Sequence, residues 1–286
     1  MEFLRKLFCR DTRATATEDR EGPQPTFTRP RMDVGWITDP GRVRDHNEDS
    51  ALVITAGHDT HQAHPPFGLL VLADGMGGHR AGEVASSMAA RVAAHHITHQ
   101  SYLPSLLGPE RDARHPALTE VLIDAVQAAN QMVSEEVPGS GTTLTCALVL
   151  GTQAYIAHVG DSRAYAITEE GIEQITHDHS VVDRLVDTGQ LTPEEAAVHP
   201  QKNVLYRAIG QSGALEVDTH VRKFDEGDYL LLCSDGLWGL VSEATVVDLI
   251  RGEDSLQEAC RRMVAAANDA GGSDNITAVL WRSPLG

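Results

Sequence analysis

A series of short, apolar, β-rich runs constrains this chain more than any other feature: GTTLTCALVL from Gly141, AYIAHVG from Ala154, AYAI from Ala164, YLLLCSDG from Tyr229 and NITAVLW from Asn275. Their β-branched and apolar content reads as strands. From Val34 onward such runs alternate with longer helical patterns, in AGEVASSMAARVAAHHI, ALTEVLIDAVQAANQMVSEE and SLQEACRRMVAAANDA. The last is expected to open with a capping box from Ser255 to Glu258 and to stop at Gly271. Long helices therefore flank a β-rich middle. Between Thr176 and Gly210 the pattern breaks into short pieces, one of them TPEE with Thr192 as cap, Pro193 in the first turn and Glu195 closing the box. That stretch reads as a small separate lobe, residues 176–210. No internal repeat is visible.

At 286 residues the chain fits one large domain with a tail. Residues 1–31 differ from the rest: MEFLRKLFCR is basic and apolar, and the following stretch is rich in Thr, Pro and charge. They read as a flexible leader before a domain over 32–286. Phe3, Leu4, Leu7 and Phe8 would share a helical face beside Arg5 and Lys6, but two turns anchor weakly to a membrane or a partner. Acidic residues outnumber basic ones by 41 to 23, a net charge of −18. Such a surface repels phosphate backbones, which argues against nucleic acid as a partner, and it suits a chain that holds cations. Cys9, Cys146, Cys233 and Cys260 show no C-x-x-C spacing, which points to a reducing compartment. No apolar stretch approaches the roughly 18 residues of a membrane span, and no secretory signal opens the chain, so a cytoplasmic location is expected.

The next question is which carboxylates cluster. VLADGMGGHRAGE runs an apolar stretch into Asp74 and then into glycines; HVGDSR and LLLCSDGLWG do the same with Asp161 and Asp235, and GGSDNITAVLW places Asp274 just before a run. Each alone is ordinary turn chemistry, since Asp beside Gly bonds local amides. A sheet, however, brings distant strand ends side by side, and four carboxylates at close range repel unless a cation lies among them. All-oxygen donors select hard ions such as Mg²⁺ or Mn²⁺, and no Cys/His spacing points to zinc. Gly75, having no Cβ, lets a backbone carbonyl approach such an ion. A P-loop would need a Lys after the glycines, and none follows. In GRVRDHNEDS, Arg44 precedes Glu48 and Asp49, and a guanidinium can grip a phosphate with two parallel hydrogen bonds.

RDHNEDS, DGMGGHRAGE, GTTLT, GDSRAY, SDGLW and SDNIT, in this order and spacing, closely resemble the metal-dependent serine/threonine protein phosphatases of type 2C in their compact bacterial form, over roughly Val34 to Trp281. The resemblance implies an α+β, four-layer sandwich: two packed antiparallel sheets with helices on both outer faces, and a mobile flap at 176–210. It implies that Asp74 bridges two Mg²⁺ or Mn²⁺ ions, that the Gly75 carbonyl ligates one, and that Asp235 and Asp274 hold the other. Asp161 would join Asp235 at a third, weaker site. Arg44 would bind the substrate phosphate, with Glu48 and Asp49 ordering water and Arg44. Eukaryotic relatives carry a histidine after the Asp-Gly pair as general acid, whereas this chain has Met76 there; His79 lies nearby and is the candidate in its place. The remaining histidines, including His58, His61, His64, His95, His96 and His99, read as surface residues.

The implied reaction is hydrolysis of phosphoserine and phosphothreonine in proteins, by a water that two metals about 3.5 to 4 Å apart make acidic. The implied partners are phosphoproteins made by a Ser/Thr kinase, met by a monomer. Thiol and aspartyl phosphatases are disfavoured, because no Cys is followed by Arg at C-x-x-x-x-x-R spacing and no D-x-D-x-T occurs. A catalytically weak phosphoprotein-binding module would be expected to lack one of Asp74, Asp235 or Asp274. A metal-dependent nuclease fits poorly with the acidic balance and few aromatics.

Overall fold

The computed structural model of the chain describes residues 32–57, 65–77, 80–106 and 116–284. The expected leader over 1–31, together with His58, His61, His64 and His79, lies outside the described residues. Along the chain run β1 (Asp33–Asp39), β2 (Asp49–Ala56) and β3 (Phe67–Met76), then α1 (Arg80–Ile97), a π-helical turn (Thr98–Tyr102) and the short α2 (Leu103–Ser105). After α3 (Leu118–Glu136) come β4 (Gly141–Thr142), β5 (Leu144–Leu150), β6 (Gln153–Val159), β7 (Arg163–Thr168) and β8 (Gly171–Gln174). The short helices α4 (Val181–Asp187) and α5 (Pro193–Ala197) precede β9 (Asp218–Lys223) and β10 (Tyr229–Cys233). The chain closes with α6 (Asp235–Trp238), α7 (Glu243–Arg251), α8 (Leu256–Asp269) and β11 (Ile276–Arg282).

Two antiparallel sheets result. One has the order β1-β11-β10-β7-β8; the other has β2-β3-β5-β6-β9, with β4 beside β3. Alternation along the strands builds the layers, because successive side chains point to opposite faces. In β3, Leu70 and Leu72 meet Leu230, Leu232, Val279 and Trp281 between the sheets, while Leu69, Val71 and Ala73 face a second cluster with Ala89, Ala93, Leu122 and Val126 of α1 and α3. On the opposite side, Leu231, Ala278 and Leu280 pack against Ile250, Cys260, Met263 and Val264 of α7 and α8. The order is helices, sheet, sheet, helices. Strands buried on both faces explain why these runs read as continuous apolar stretches rather than as alternating ones.

The run from Gly141 to Leu150 is interrupted at Thr143, although the sequence reads it as one strand. Thr143 donates its N–H to the Asp74 carbonyl (2.8 Å), and its Oγ1 accepts the Asp74 N–H (2.9 Å), so side-chain bonding replaces regular pairing there. The expected box at α8 forms by half: Ser255 Oγ accepts from the Glu258 N–H (3.4 Å), but the Glu258 carboxylate turns to Arg261 (3.0 Å). The box from Thr192 to Glu195 forms in both directions. The two legs of the 176–210 segment pair at Ser180 and Leu205, with Val181 N–H donating to Val204 (2.8 Å). The reading of the remaining histidines as surface residues needs correction at two positions. His158 and His179 are buried, because β6 and the root of that segment pack together around them.

Candidate metal centre

Strand pairing gathers the candidate carboxylates. Asp49, first in β2, stands directly opposite Asp74 in the antiparallel register with β3. Asp161 lies in the turn between β6 and β7, Asp235 opens α6 just after β10, and Asp274 sits just before β11. Asp49 and Asp74 thus come from one sheet, and Asp235 and Asp274 from the ends of adjacent strands of the other. Like charges directly opposite on a strand pair are destabilising, so this arrangement opposes pairing unless something neutralises it.

Each carboxylate is held by its own surroundings. Asp49 is buried, and its Oδ2 accepts from Ser234 Oγ (2.8 Å) and Thr277 Oγ1 (2.6 Å), both on the opposite sheet. Its Oδ1 is buried with no hydrogen-bond partner. The backbone of Asp74 is locked by Thr142 and Thr143: besides the two Thr143 bonds, Thr142 Oγ1 donates to the Asp74 carbonyl (2.9 Å). Trp238 Nε1 donates to the Asp161 carbonyl (3.0 Å), and the Arg163 guanidinium lies 3.6 Å over the Trp238 ring while binding Asp178 through Nε and Nη2. At Gly75 there is no room for a side chain: a Cβ would stand 2.3 Å from the Gly82 carbonyl oxygen and 2.7 Å from that of Glu48. The Gly75 N–H donates to that Glu48 carbonyl (3.1 Å).

Arg44 sits at the edge of this group. Its Nη2 donates to Asp274 Oδ2 (2.7 Å), and this bond raises the guanidinium's affinity for its proton further, with Glu48 and Asp235 adding smaller charge effects. Arg44 is therefore stationed at the acidic group by Asp274.

Burial and mutual repulsion set the electrostatics. Asp74 and Asp235 keep part of their surface open to solvent, yet both are held well above the ordinary carboxylate range, by burial first and then by neighbouring aspartates. For Asp74 those neighbours are Asp49, Asp235, Asp161 and Asp274; for Asp235 they are Asp161, Asp274 and Asp49. Burial, with Asp178 close by, pushes Asp161 up to about 7. Burial pushes Asp49 up to about 6 against the hydrogen bonds of Thr277 and Ser234. Carboxylates packed this closely favour a positive charge among them. The residues fit a hard divalent cation: every donor is oxygen, Asp49 has a buried oxygen without a partner, and the backbone at Gly75 is bare.

Among the described residues, only His177, Asp183 and Asp187 bring three ligand atoms all within 4.8 Å of one another. In that trio His177 Nε2 contacts both carboxylates (3.0 and 2.9 Å) on the outer 176–210 segment, where His177 is about half exposed. The central carboxylates are spaced more widely than this single clasp.

The aspartates stand out at the ends of apolar runs, but the groups that orient them do not. Ser234 and Thr277, which hold Asp49, and Thr142 and Thr143, which hold Asp74, all lie in or beside quoted motifs. Their only signal is a hydroxyl next to a strand-end aspartate. His79 lies outside the described residues.

A family model described as protein phosphatase 2C matches residues 46–280. The serine/threonine phosphatase stp of Listeria innocua is 40% identical over 250 residues, covering 87% of this chain and 95% of that protein. The structure of the S. agalactiae serine/threonine phosphatase superposes with a TM-score of 0.74 at 34% identity, covering 88% of this chain and 99% of that one. A structure of the catalytic domain of the serine/threonine protein phosphatase PstP, in complex with two manganese ions, gives 0.70 at 34% identity, with 88% and 98% covered.

Proposed function

The chain belongs to the protein phosphatase 2C family, and we propose that its five clustered aspartates and Arg44 are the machinery with which it removes phosphate from phosphoserine and phosphothreonine in proteins. It is a metal-dependent protein serine/threonine phosphatase, and its substrates are phosphorylated proteins. Asp74, the Gly75 carbonyl, Asp235 and Asp274 would hold two ions, Mg²⁺ or Mn²⁺, and Asp161 with Asp235 a third, weaker one. When bound, such ions make a water acidic enough to attack phosphorus and offset charge on the phosphoryl oxygens.

The chain's own residues supply the rest. The phosphate of a phosphoprotein carries close to two negative charges at neutral pH, which this acidic group repels unless cations are present. Arg44 grips the substrate oxygens, and its fork geometry orients phosphorus toward the acidic group. Asp49, fixed by Ser234 and Thr277, keeps its unpartnered Oδ1 available to orient water beside Asp74. Glu48 lies next to it, its carbonyl bound by Gly75. Residues 32–286 form the catalytic domain, and 176–210 form a flap that selects phosphoproteins. The enzyme acts as a cytoplasmic monomer that reverses a Ser/Thr kinase; no helix among the described residues is long and apolar enough to cross a membrane.

The observation that carries this reading is the convergence of carboxylates from both sheets, with Asp49 facing Asp74 across a strand pair and Arg44 bound to Asp274. The test is hydrolysis of a phosphothreonine peptide with Mn²⁺ and then with EDTA, alongside Asp74→Asn. EDTA should abolish turnover, and the variant should lose about 100-fold or more at moderate Mn²⁺. Full activity in EDTA, or a variant keeping half its rate, would refute it.

A further inference from the structure

Arg44 has to reach the phosphate from a loop that is exposed on its outer side. The loop leaves β1 at Asp39 and enters β2 at Asp49, and Arg42, Val43, Arg44 and Asp45 at its crest are all exposed. Arginine is long and rich in rotamers, so its placement depends on how firmly the backbone beneath it is held.

The inner side of that loop is bound by one buried amide. Asn275 is 5% exposed. Its Oδ1 accepts from the Glu48 N–H (2.8 Å), and its Nδ2 donates to the carbonyls of Pro40 (3.0 Å) and His46 (2.9 Å). Both N–H groups and the carbonyl of the amide are thus used, on partners 227 to 235 residues away, at the start and the end of the loop. The neighbouring chain adds to this. Gly272 O accepts from the N–H groups of Arg42 (2.8 Å) and Val43 (3.2 Å). Gly41 has φ +79°, and a Cβ there would stand 2.2 Å from the Asp274 carbonyl oxygen, so the loop runs flush against the residue that receives Arg44's guanidinium.

We infer that Asn275 is a positioning residue for phosphate recognition: its amide ties both ends of the Pro40–Glu48 loop and so sets where Arg44 stands over the acidic group. The inference rests on the phosphate role of Arg44 proposed above. The amide's donors and acceptor are all taken by backbone of the loop, so Asn275 acts through Arg44. With the amide removed, the loop samples other conformations, and apparent affinity falls by the fraction of time Arg44 is in place.

The experiment is a double-mutant cycle on the full chain at saturating Mn²⁺, using Arg44→Ala, Asn275→Ala and both together on a phosphothreonine peptide. Asn275→Ala should raise KM about tenfold with kcat changed less than about threefold, a split that a loss of folded protein does not give. The double variant should lose no more than about twofold in kcat/KM beyond Arg44→Ala alone, because both changes remove the same interaction. Trypsin should cleave after Arg42 and Arg44 about tenfold faster in Asn275→Ala, with other sites unchanged. If Asn275→Ala fails to fold, Asn275→Ser is used instead; its hydroxyl is too short to reach all three partners and should show the same pattern. Additive losses in the cycle, with Arg44→Ala itself impaired, overturn this inference alone. Unchanged kcat/KM in Arg44→Ala overturns the phosphate role of Arg44 and this inference with it.

Discussion

Asp49→Asn in the absence of metal should make the protein more stable, not less. Asp49 is buried opposite Asp74, and burial carries its carboxyl from the ordinary 3.8 to about 6. At ~1.4 kcal/mol per pH unit, holding it ionised costs the folded state about 3 kcal/mol. The sign follows from the direction: a carboxyl raised on folding leaves stability intact below about pH 4, and that stability is lost as pH rises through about 6. At pH 7.5 the whole amount is missing. An asparagine is neutral at every pH, its Oδ1 can keep the Ser234 and Thr277 hydrogen bonds, and its Nδ2 would turn a donor toward Asp74, opposite it, in place of a repelling oxygen. In EDTA at pH 7.5 the variant should therefore gain up to about 3 kcal/mol, or roughly 6 to 12 °C in Tm for a chain of this size. The gain should shrink toward zero as pH falls toward 4. Wild type should recover more than the variant on adding Mn²⁺, since ions that bind only the folded state stabilise it by mass action. Calorimetry in EDTA across pH 4 to 8, repeated with Mn²⁺, measures all three. A variant no more stable than wild type in EDTA at pH 7.5, or a gain independent of pH, would refute the argument that uncompensated charge dominates this site.

Gly75→Ala should destabilise by about 1 to 3 kcal/mol, read by denaturant titration, because its Cβ collides with backbone of both Glu48 and Gly82 and cannot be relieved by a rotamer change; unchanged stability would show that the first turn of α1 is free to move. If the 176–210 flap selects rather than catalyses, as proposed, replacing residues 182–203 with a short Gly/Ser linker should leave hydrolysis of a small aryl phosphate within about threefold and change rates on phosphoproteins by about tenfold or more. This replacement spares Asp178 and His179, which bind Arg163 and the Gly160 N–H beside Asp161. Equal losses on small and large substrates, in a variant that still melts cooperatively, would reject the selective role.

The layered fold was legible because its evidence is local. Apolar runs of strand length and 3.6-residue periodicity are properties of neighbouring residues, and β5, β6, β7, β10 and β11 with α1, α3 and α8 fall where those patterns lie. The aspartates were legible for the same reason, each standing at one end of an apolar run. What escaped depends on pairs far apart in the chain. Nothing near Asp49 announces Ser234 and Thr277, which lie 185 and 228 residues away. His158 and His179 read as surface residues because histidine is usually found there. Here His179 Nδ1 accepts the Gly160 N–H (3.0 Å) and His158 Nδ1 meets Thr145 Oγ1 (2.9 Å), so burial is made tolerable by partners that no local pattern reveals. Asn275 lies in SDNIT beside Asp274, but an amide's role as a tie is visible only once the loop it holds is in place.

The position of the acidic group follows from how the two sheets meet. Thr277 lies in β11 and Ser234 directly follows β10 of the same sheet, whereas Asp49, which their hydroxyls bind, opens β2 of the other. Asp49 thus joins the sheets at the end where Asp74, Asp235 and Asp274 also arrive. Away from that end, Leu70, Leu72, Leu232 and Trp281 fill the space between the sheets with apolar side chains. Had the seam been closed by leucines throughout, the sandwich would be more stable in the absence of metal, because no buried carboxyl would be held ionised against its tendency to keep a proton. The apolar interior offsets that cost, and the repulsion it tolerates would also favour a cation among the carboxylates. With the metal roles proposed for these aspartates, affinity for metal and loss of metal-free stability have the same origin, so substitutions that neutralise Asp49, Asp74 or Asp235 should move the two in opposite directions.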